Sequence, residues 1–139
     1  MSTESNLPEG YVLGVDFGLK NIGIAASQTV TGHAHGLCTI RAKKGEPINW
    51  PSLKALIAEY QPITIVVGLP LNMDGTESAM AERARKFAQT LAQRTGYPTV
   101  MSDERLSSWS SSKADGADLH QESACRIVET WLREQQQNR

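Results

Sequence analysis

Apolar runs separated by glycine, proline and polar clusters divide the chain into alternating strands and helices. Three runs, residues 11–17, 21–28 and about 34–42, have strand composition and follow one another across short turns. The nearly continuous apolar character of the first run favours a central strand. The second run comes directly after a short glycine turn, which predicts that the first two strands pair as a hairpin.

Helical periodicity appears in three later segments. The first begins near Pro51, which suits a first helical turn, and stops at Pro62. The second is a long helix that ends at Gly96, a residue placed to cap it. The capping-box spacing of Asp74 and Glu77 predicts where that helix begins. A third helix is predicted over residues 123–132.

Two further strands, residues 63–69 and 98–101, lie between these helices. The pattern therefore predicts an α/β fold with a mixed five-stranded sheet flanked by helices. Right-handed crossovers would make the first, fourth and fifth strands parallel. Their carboxyl ends would then share one edge of the sheet, where α/β proteins tend to bind ligands.

Acidic residues fall at this predicted edge. Asp16 ends the first strand, and Asp103 and Glu104 follow the last one. Converging carboxylates repel one another, and a hard divalent cation such as Mg²⁺ removes the conflict. Glycine next to the acid would admit a phosphate backbone, so the pattern fits metal-assisted phosphodiester hydrolysis. The same residues also fit a purely structural interpretation, in which Asp16 caps a turn and Glu104 is a solvated surface charge.

Composition narrows the class of protein. With 139 residues, 40% of them hydrophobic and 21% charged, the chain fits one globular domain, predicted over 11–132 between a loose leader, 1–10, and a polar tail, 133–139. Neither a membrane span nor a secretory signal is visible, so we expect a cytoplasmic protein without membrane contact. The formal net charge is −1, so phosphate binding would need a local basic cluster. Cys38 and Cys125 are expected to be free thiols.

Four segments, VDFGLKNIGIAAS, IVVGLPLNMDGTE, RARKFA and SDERLS, resemble in order and spacing the signature blocks of the YqgF family, also described as RuvX. The resemblance spans roughly residues 11–108. That family is described as pre-16S rRNA nucleases or Holliday-junction resolvases with an RNase-H-like fold. The resemblance implies a five-stranded RNase-H-like sheet with an antiparallel second strand. It also implies a cytoplasmic nuclease that uses Mg²⁺ or Mn²⁺.

The resemblance assigns roles to individual residues. Asp16 matches the first-strand aspartate that holds metal, and Glu104 matches the second acid. The remaining matched or neighbouring positions are predicted to contact substrate: Gly18, Lys20, Asn72, Asp74, Arg83, Arg85, Lys86 and Arg105. For the three basic residues of the long helix, a solvated helix face is an equally good interpretation.

The chain departs from the family pattern before its last helix, where His120 stands in place of an expected aspartate. His120 could be a ligand or a proton shuttle. Asp118 or Glu122 could instead supply the carboxylate, or the site could be impaired. The favoured function is cleavage at the 5′ end of a 16S rRNA precursor, with ribosome association. The alternatives are resolution of branched DNA and a binding module that does not cut. A nucleotide-binding protein of the sugar-kinase or actin type is a further alternative. Such proteins need two domains around a cleft, and 139 residues are enough for only one.

Overall fold

The structure, a computed structural model, describes residues 7–70, 72, 74–103 and 118–137. Within these residues a sheet is combined with three helices. The strands are β1 (Tyr11–Asp16), β2 (Asn21–Gln28), β3 (Ala34–Lys43), β4 (Glu46–Pro47), β5 (Thr64–Leu69) and β6 (Thr99–Asp103). The helices are α1 (Trp50–Tyr60), α2 (Ala79–Thr95) and α3 (Leu119–Gln137).

The sheet has the order β4-β3-β2-β1-β5-β6. β1 is antiparallel to β2 and parallel to β5, and β5 is parallel to β6. This confirms the mixed sheet, its antiparallel second strand and the shared edge at the ends of β1, β5 and β6. We call that edge, formed by Asp16, Leu69 and Asp103, the carboxyl edge.

The predicted count of five strands is wrong, because β4 adds a sixth. Lys44 and Gly45 have positive φ angles of 54° and 84°. Two such residues form a tight hairpin loop whose twist matches that of the flanking strands. The chain therefore returns at once, and Glu46–Pro47 pairs with the end of β3.

Hydrophobic side chains cover both faces of the sheet. On one, the α1–α2 face, Leu13, Val15 and Val67 belong to a core completed by both of those helices. On the other, the α3 face, Val12 and Val66 pack against α3. Successive strand residues point to opposite faces, which explains how β1 and β5 serve two cores at once.

Helix caps decide where the helices begin. α2 begins at Ala79, not in the preceding loop, because the Ser78 hydroxyl oxygen accepts a hydrogen bond from the Ala81 N–H at 3.1 Å. The predicted capping box at Asp74 is therefore wrong. The Asp74 carboxylate accepts from the Thr76 N–H at 3.0 Å and from its hydroxyl at 2.7 Å, which is a local turn. Gly96 caps α2 as predicted, with φ 82°.

α3 is longer than the pattern 123–132 predicted. It begins at Leu119 because the Asp118 carboxylate accepts a hydrogen bond from the His120 N–H at 2.9 Å, which is the contact of an N-cap residue. It continues to Gln137 through the segment assigned to a polar tail. None of the helices in the described ranges has the length and apolarity needed to cross a membrane.

Candidate active site

The carboxyl edge gathers chain segments that are far apart in sequence. β1 and β5 are in parallel register, as are β5 and β6, with Leu69 opposite Asp103. Asp16 and Asp103 are both half-buried. They belong to different sides of the sheet, however. Asp103 alternates with Met101, which packs on the α1–α2 face, whereas Asp16 alternates with Gly14 on the α3 face.

Gly23 of β2 lies directly opposite Asp16 in the β1–β2 hairpin. The backbone of α3 passes so close to this glycine that a Cβ there would lie 2.1 Å from the His120 carbonyl oxygen. Gly14 similarly leaves room for the Ala124 carbonyl, which would lie 2.5 Å from a Cβ. Two glycines therefore let α3 lie directly on the hairpin that carries Asp16.

This contact brings His120 to the edge that carries Asp16. α3 runs back along β1 from Gly23 towards Gly14, so its amino-terminal end is at the carboxyl edge. The His120 side chain is half-buried. Of the predicted catalytic residues within the described ranges, Asp16 and the backbone of His120 therefore lie at the same edge and on the same face of the sheet.

Asp118 is engaged in anchoring α3. Besides capping the helix, its carboxylate accepts hydrogen bonds from the Thr39 hydroxyl on β3 and from the Gln121 amide at 3.4 Å. The bond from Thr39, assisted by the backbone N–H of His120, lowers the pKa of Asp118. Its carboxylate therefore holds the end of α3 against β3.

Glu122 lies in the first turn of α3 and is half-buried. Burial raises the pKa of the Cys125 thiol to about 11, and the carboxylates of Glu129 and Glu122 contribute to that rise. Cys125 and Cys38 are free thiols, as expected. Glu129 itself accepts a hydrogen bond from the Ala34 N–H at 2.8 Å, a second anchor between α3 and β3.

The β1–β2 turn and the loop before α2 flank the carboxyl edge. Lys20 is exposed, and its carbonyl accepts a hydrogen bond from the Ala42 N–H at 2.8 Å, next to the half-buried Gly18. Asn72 donates from its amide to the Thr76 hydroxyl at 2.9 Å, and Asp74 bonds to the same residue. These four predicted substrate contacts therefore lie on two ordered turns beside the edge.

The basic residues of α2 do not share this location. Arg85 is paired with Glu77, whose carboxylate accepts from the guanidinium Nε at 2.7 Å. That hydrogen bond lowers the pKa of Glu77 and raises that of Arg85. Arg83 and Lys86 are exposed beside a cavity of about 170 Å³ that opens on the α1–α2 face. They are thus separated from His120 by the sheet.

We call this cavity the hairpin cleft, since it lies between the β3–β4 hairpin and α2. Its lining residues are Phe17, Lys44, Gly45, Glu46, Pro47, Trp50, Arg83, Lys86, Phe87 and Thr90. Lys44 and Trp50 were not identified from the sequence as candidate binding residues. The one feature of the sequence that could have drawn attention to Lys44 is its position next to Gly45 in a tight turn.

The predicted second acid, Glu104, and the predicted contact Arg105 lie outside the described residues. Within the described part of the chain, no group of three or more histidine, cysteine or acidic side chains is arranged to hold a metal ion. Asp16 and Asp103 carry carboxylates at the carboxyl edge, and His120, Asp118 and Glu122 lie at the amino-terminal end of α3.

Comparison with known proteins gives matches over most of the chain. The model of the RuvX family, described as a Holliday junction resolvase, matches residues 10–134. A protein of Pseudomonas aeruginosa (strain LESB58) named "Putative pre-16S rRNA nuclease" is 49% identical over 105 residues, covering 76% of this chain and 72% of that protein. A protein of the same name from Pseudomonas putida is 51% identical over 98 residues, covering 70% and 69%.

Among solved structures, Thermus thermophilus RuvC in complex with a Holliday junction substrate superimposes with a TM-score of 0.59. The superposition covers 87% of this chain and 92% of that one, at 14% identity. At this level of identity the likeness concerns the fold.

Proposed function

The chain belongs to the RuvX family, and on that premise we propose that it is a divalent-metal-dependent endonuclease acting on structured nucleic acid. The proposed substrate is the precursor of 16S rRNA, cut at its 5′ end, in keeping with the names of the curated relatives. Ribosome association and a cytoplasmic location belong to the same proposal.

One observation carries this proposal. Asp16 is held opposite Gly23, and the His120 backbone lies on that glycine at the edge where the parallel strands end. An acid and the backbone of a histidine from distant parts of the chain thereby lie on one side of the sheet.

The donor chemistry fits Mg²⁺ or Mn²⁺. Asp16 and Glu104 would hold the ion, since both metals prefer carboxylate oxygens and water. Such an ion, when bound, activates water and stabilises charge on the leaving oxygen. Asp16 can hold it firmly because β1 is paired on both sides. We favour His120 over Asp118 as the third group, because Asp118 is already bonded to Thr39 and to the His120 N–H.

The proposed role of His120 follows from its position. A neutral imidazole can donate from one ring nitrogen and accept at the other, so it can receive a proton from water or return one to the departing oxygen. Gly18, Lys20, Asn72 and Asp74 flank the same edge and would orient the strand to be cut, with Arg105 as a further proposed contact.

Resolution of branched DNA is the second candidate. The description of the family as a Holliday junction resolvase favours it, as does the fold shared with RuvC. Both candidates use the same site, so they differ only in the nucleic acid that it accepts.

A cleavage assay decides between them. Wild type and Asp16→Asn are incubated with a 16S precursor fragment and with a four-way DNA junction, in Mg²⁺, in Mn²⁺ and in chelator. We expect wild type to shorten the RNA at its 5′ side only when metal is present, and Asp16→Asn to leave it intact. Cutting of the junction alone would establish the second candidate. If wild type binds both substrates and cuts neither, the chain is a binding module.

A further inference from the structure

The hairpin cleft has a strongly cationic lining. Lys44, Arg83 and Lys86 line it, against one carboxylate, that of Glu46. Glu46 already accepts a hydrogen bond from the Trp50 indole N–H at 3.4 Å. The whole chain has a formal charge of −1, so this excess of positive charge is local. A surface of this kind attracts a polyanion.

Aromatic rings form the floor of the cleft. The Phe17 and Phe87 centroids are 5.2 Å apart, and Trp50 stacks on Phe87 at 6.1 Å. The Arg94 guanidinium lies over the Trp50 ring, 4.5 Å from its centroid, outside the residues that line the cleft. Proteins that bind single-stranded nucleic acid combine cationic side chains, which contact the phosphates, with aromatic rings, against which the bases stack.

Lys44 has a backbone conformation that lysine seldom adopts. Its φ of 54° lies in the left-handed region, where glycine, asparagine and aspartate are favoured. The turn would be formed more easily with asparagine at this position. The Lys44-Gly45 turn holds this lysine among the residues that line the cleft.

The size of the cleft indicates the kind of ligand. At about 170 Å³ it is smaller than the roughly 300–1,000 Å³ of pockets that enclose whole small molecules. It suits part of a polymer that continues beyond it. Phe17 of the floor follows Asp16 directly in sequence, and its side chain lies on the α1–α2 face, so a strand bound in the cleft would pass over the edge of the sheet to reach Asp16.

We propose that the hairpin cleft binds a single-stranded segment of nucleic acid that flanks the position cut at the carboxyl edge. Lys44, Arg83 and Lys86 contact its phosphates, and a base lies against the aromatic floor beside Trp50. This inference rests on the proposed function, because it assigns to the same enzyme a substrate with an unpaired flank.

Binding in chelator, where no cutting occurs, tests the cleft separately from catalysis. The probe is a short fluorescent single-stranded oligonucleotide, titrated with wild type, Lys44→Asn, Trp50→Leu and Arg133→Ala. Lys44→Asn keeps a residue suited to the turn, so it should fold normally. Arg133→Ala removes one positive charge from α3, on the other side of the sheet, and serves as the matched control.

We expect Lys44→Asn to flatten the dependence of log affinity on log salt by about 0.7, and Trp50→Leu to weaken binding roughly tenfold. Arg133→Ala should match wild type. Equal affinities for Lys44→Asn and Arg133→Ala would overturn the inference, as would failure of wild type to bind the probe.

A second measurement separates this inference from the proposed function. A fully paired junction and a precursor with an unpaired flank are cut in metal by wild type and by Lys44→Asn. We expect the variant to lose affinity only for the flanked substrate. If Lys44→Asn cuts normally and binds the flanked substrate as wild type does, the inference about the cleft is refuted and the proposed nuclease function stands. If binding depends on the cleft but neither substrate is cut, the nuclease function is refuted and the inference about the cleft stands.

Discussion

Gly23 lies directly beneath His120, with no space between strand and helix for a side chain: a Cβ would lie 2.1 Å from the His120 carbonyl oxygen. The contact involves backbone on both sides, so a side-chain rotation cannot relieve it. The position of His120 is therefore determined by the absence of a side chain on a neighbouring strand.

Gly23→Ala should displace the start of α3. We expect a loss of about 1–3 kcal/mol in the free energy of unfolding, typical of overpacking, and a large loss of cleavage. Urea unfolding and the cleavage assay measure both effects. Gly36→Ala is the matched variant on β3, where the obstructing atoms belong to the Gln121 side chain and can move further. Equal effects of the two substitutions would contradict the importance of the His120 contact.

Asp16→Asn should abolish binding of Mn²⁺ in calorimetry, because it removes the carboxylate proposed to hold the ion. The melting temperature should stay the same or rise, since repulsion between acids at the edge is relieved. Glu59→Gln, which removes one negative charge from the exposed side of α1, should bind the ion as wild type does. Absence of Mn²⁺ binding by wild type at millimolar ion with nucleic acid present would eliminate the metal proposal.

Replacement of His120 tests the third group of the site. Imidazole favours Mn²⁺ over Mg²⁺, so wild type should cut better in Mn²⁺. His120→Asp should restore cutting in Mg²⁺, and His120→Ala should lose it with both ions. If His120→Ala cuts as well as wild type while Asp118→Asn or Glu122→Gln does not, the carboxylate completes the site.

Cys125 makes stability fall at alkaline pH. Its pKa is raised from the ordinary 9.0 to about 11, so the folded state keeps the thiol protonated more strongly than the unfolded chain does. That contribution is fully present below pH 9 and is lost as the pH rises towards 11. The half-buried thiol limits the effect to roughly 1–2 kcal/mol. Urea unfolding at pH 8 and pH 10.5 should show a smaller alkaline loss for Cys125→Ala. An equal loss in both proteins would contradict the assignment.

Arg85 and Lys86 should differ in their contribution to binding. Lys86→Ala should flatten the salt dependence of binding to the single-stranded probe by about 0.7, as for a lost phosphate contact. Arg85→Ala should change it less, because the guanidinium is paired with Glu77. Glu77→Gln should make the salt dependence of binding steeper, because Arg85 would no longer be paired with a carboxylate and could contact a phosphate. Identical slopes for Arg85→Ala and Lys86→Ala would show that the ion pair does not restrict Arg85.

Periodicity and turn residues were sufficient to predict the order of the elements, except for β4, and the shared edge of the parallel strands. The exact start of α2 was not predictable, because two residues compete to cap it. Asp74 and Ser78 both have side chains suited to an N-cap, but the Asp74 carboxylate accepts a hydrogen bond from Thr76 and Ser78 caps the helix. The hairpin loop was hidden because a lysine rarely adopts a positive φ.

The site was predictable in part. Asp16 at a strand end and glycines within strands were visible signals, and glycine in a strand interior often marks a close backbone approach. The pairing of Arg85 with Glu77 was not visible, since Glu77 precedes the helix and lies eight residues away. Glu104 and Arg105 stay predictions, because they lie outside the described residues.

The two faces of the sheet differ in the number of buried apolar residues that pack on them. Fourteen buried residues form the core on the α1–α2 face, and five form the one beneath α3. Elements with smaller cores open at lower free energy than the rest of a protein. α3 should therefore detach while the sheet and the other helices remain folded, carrying His120 away from Asp16. Loss of activity on mild heating would then precede melting of the fold and be reversed on cooling.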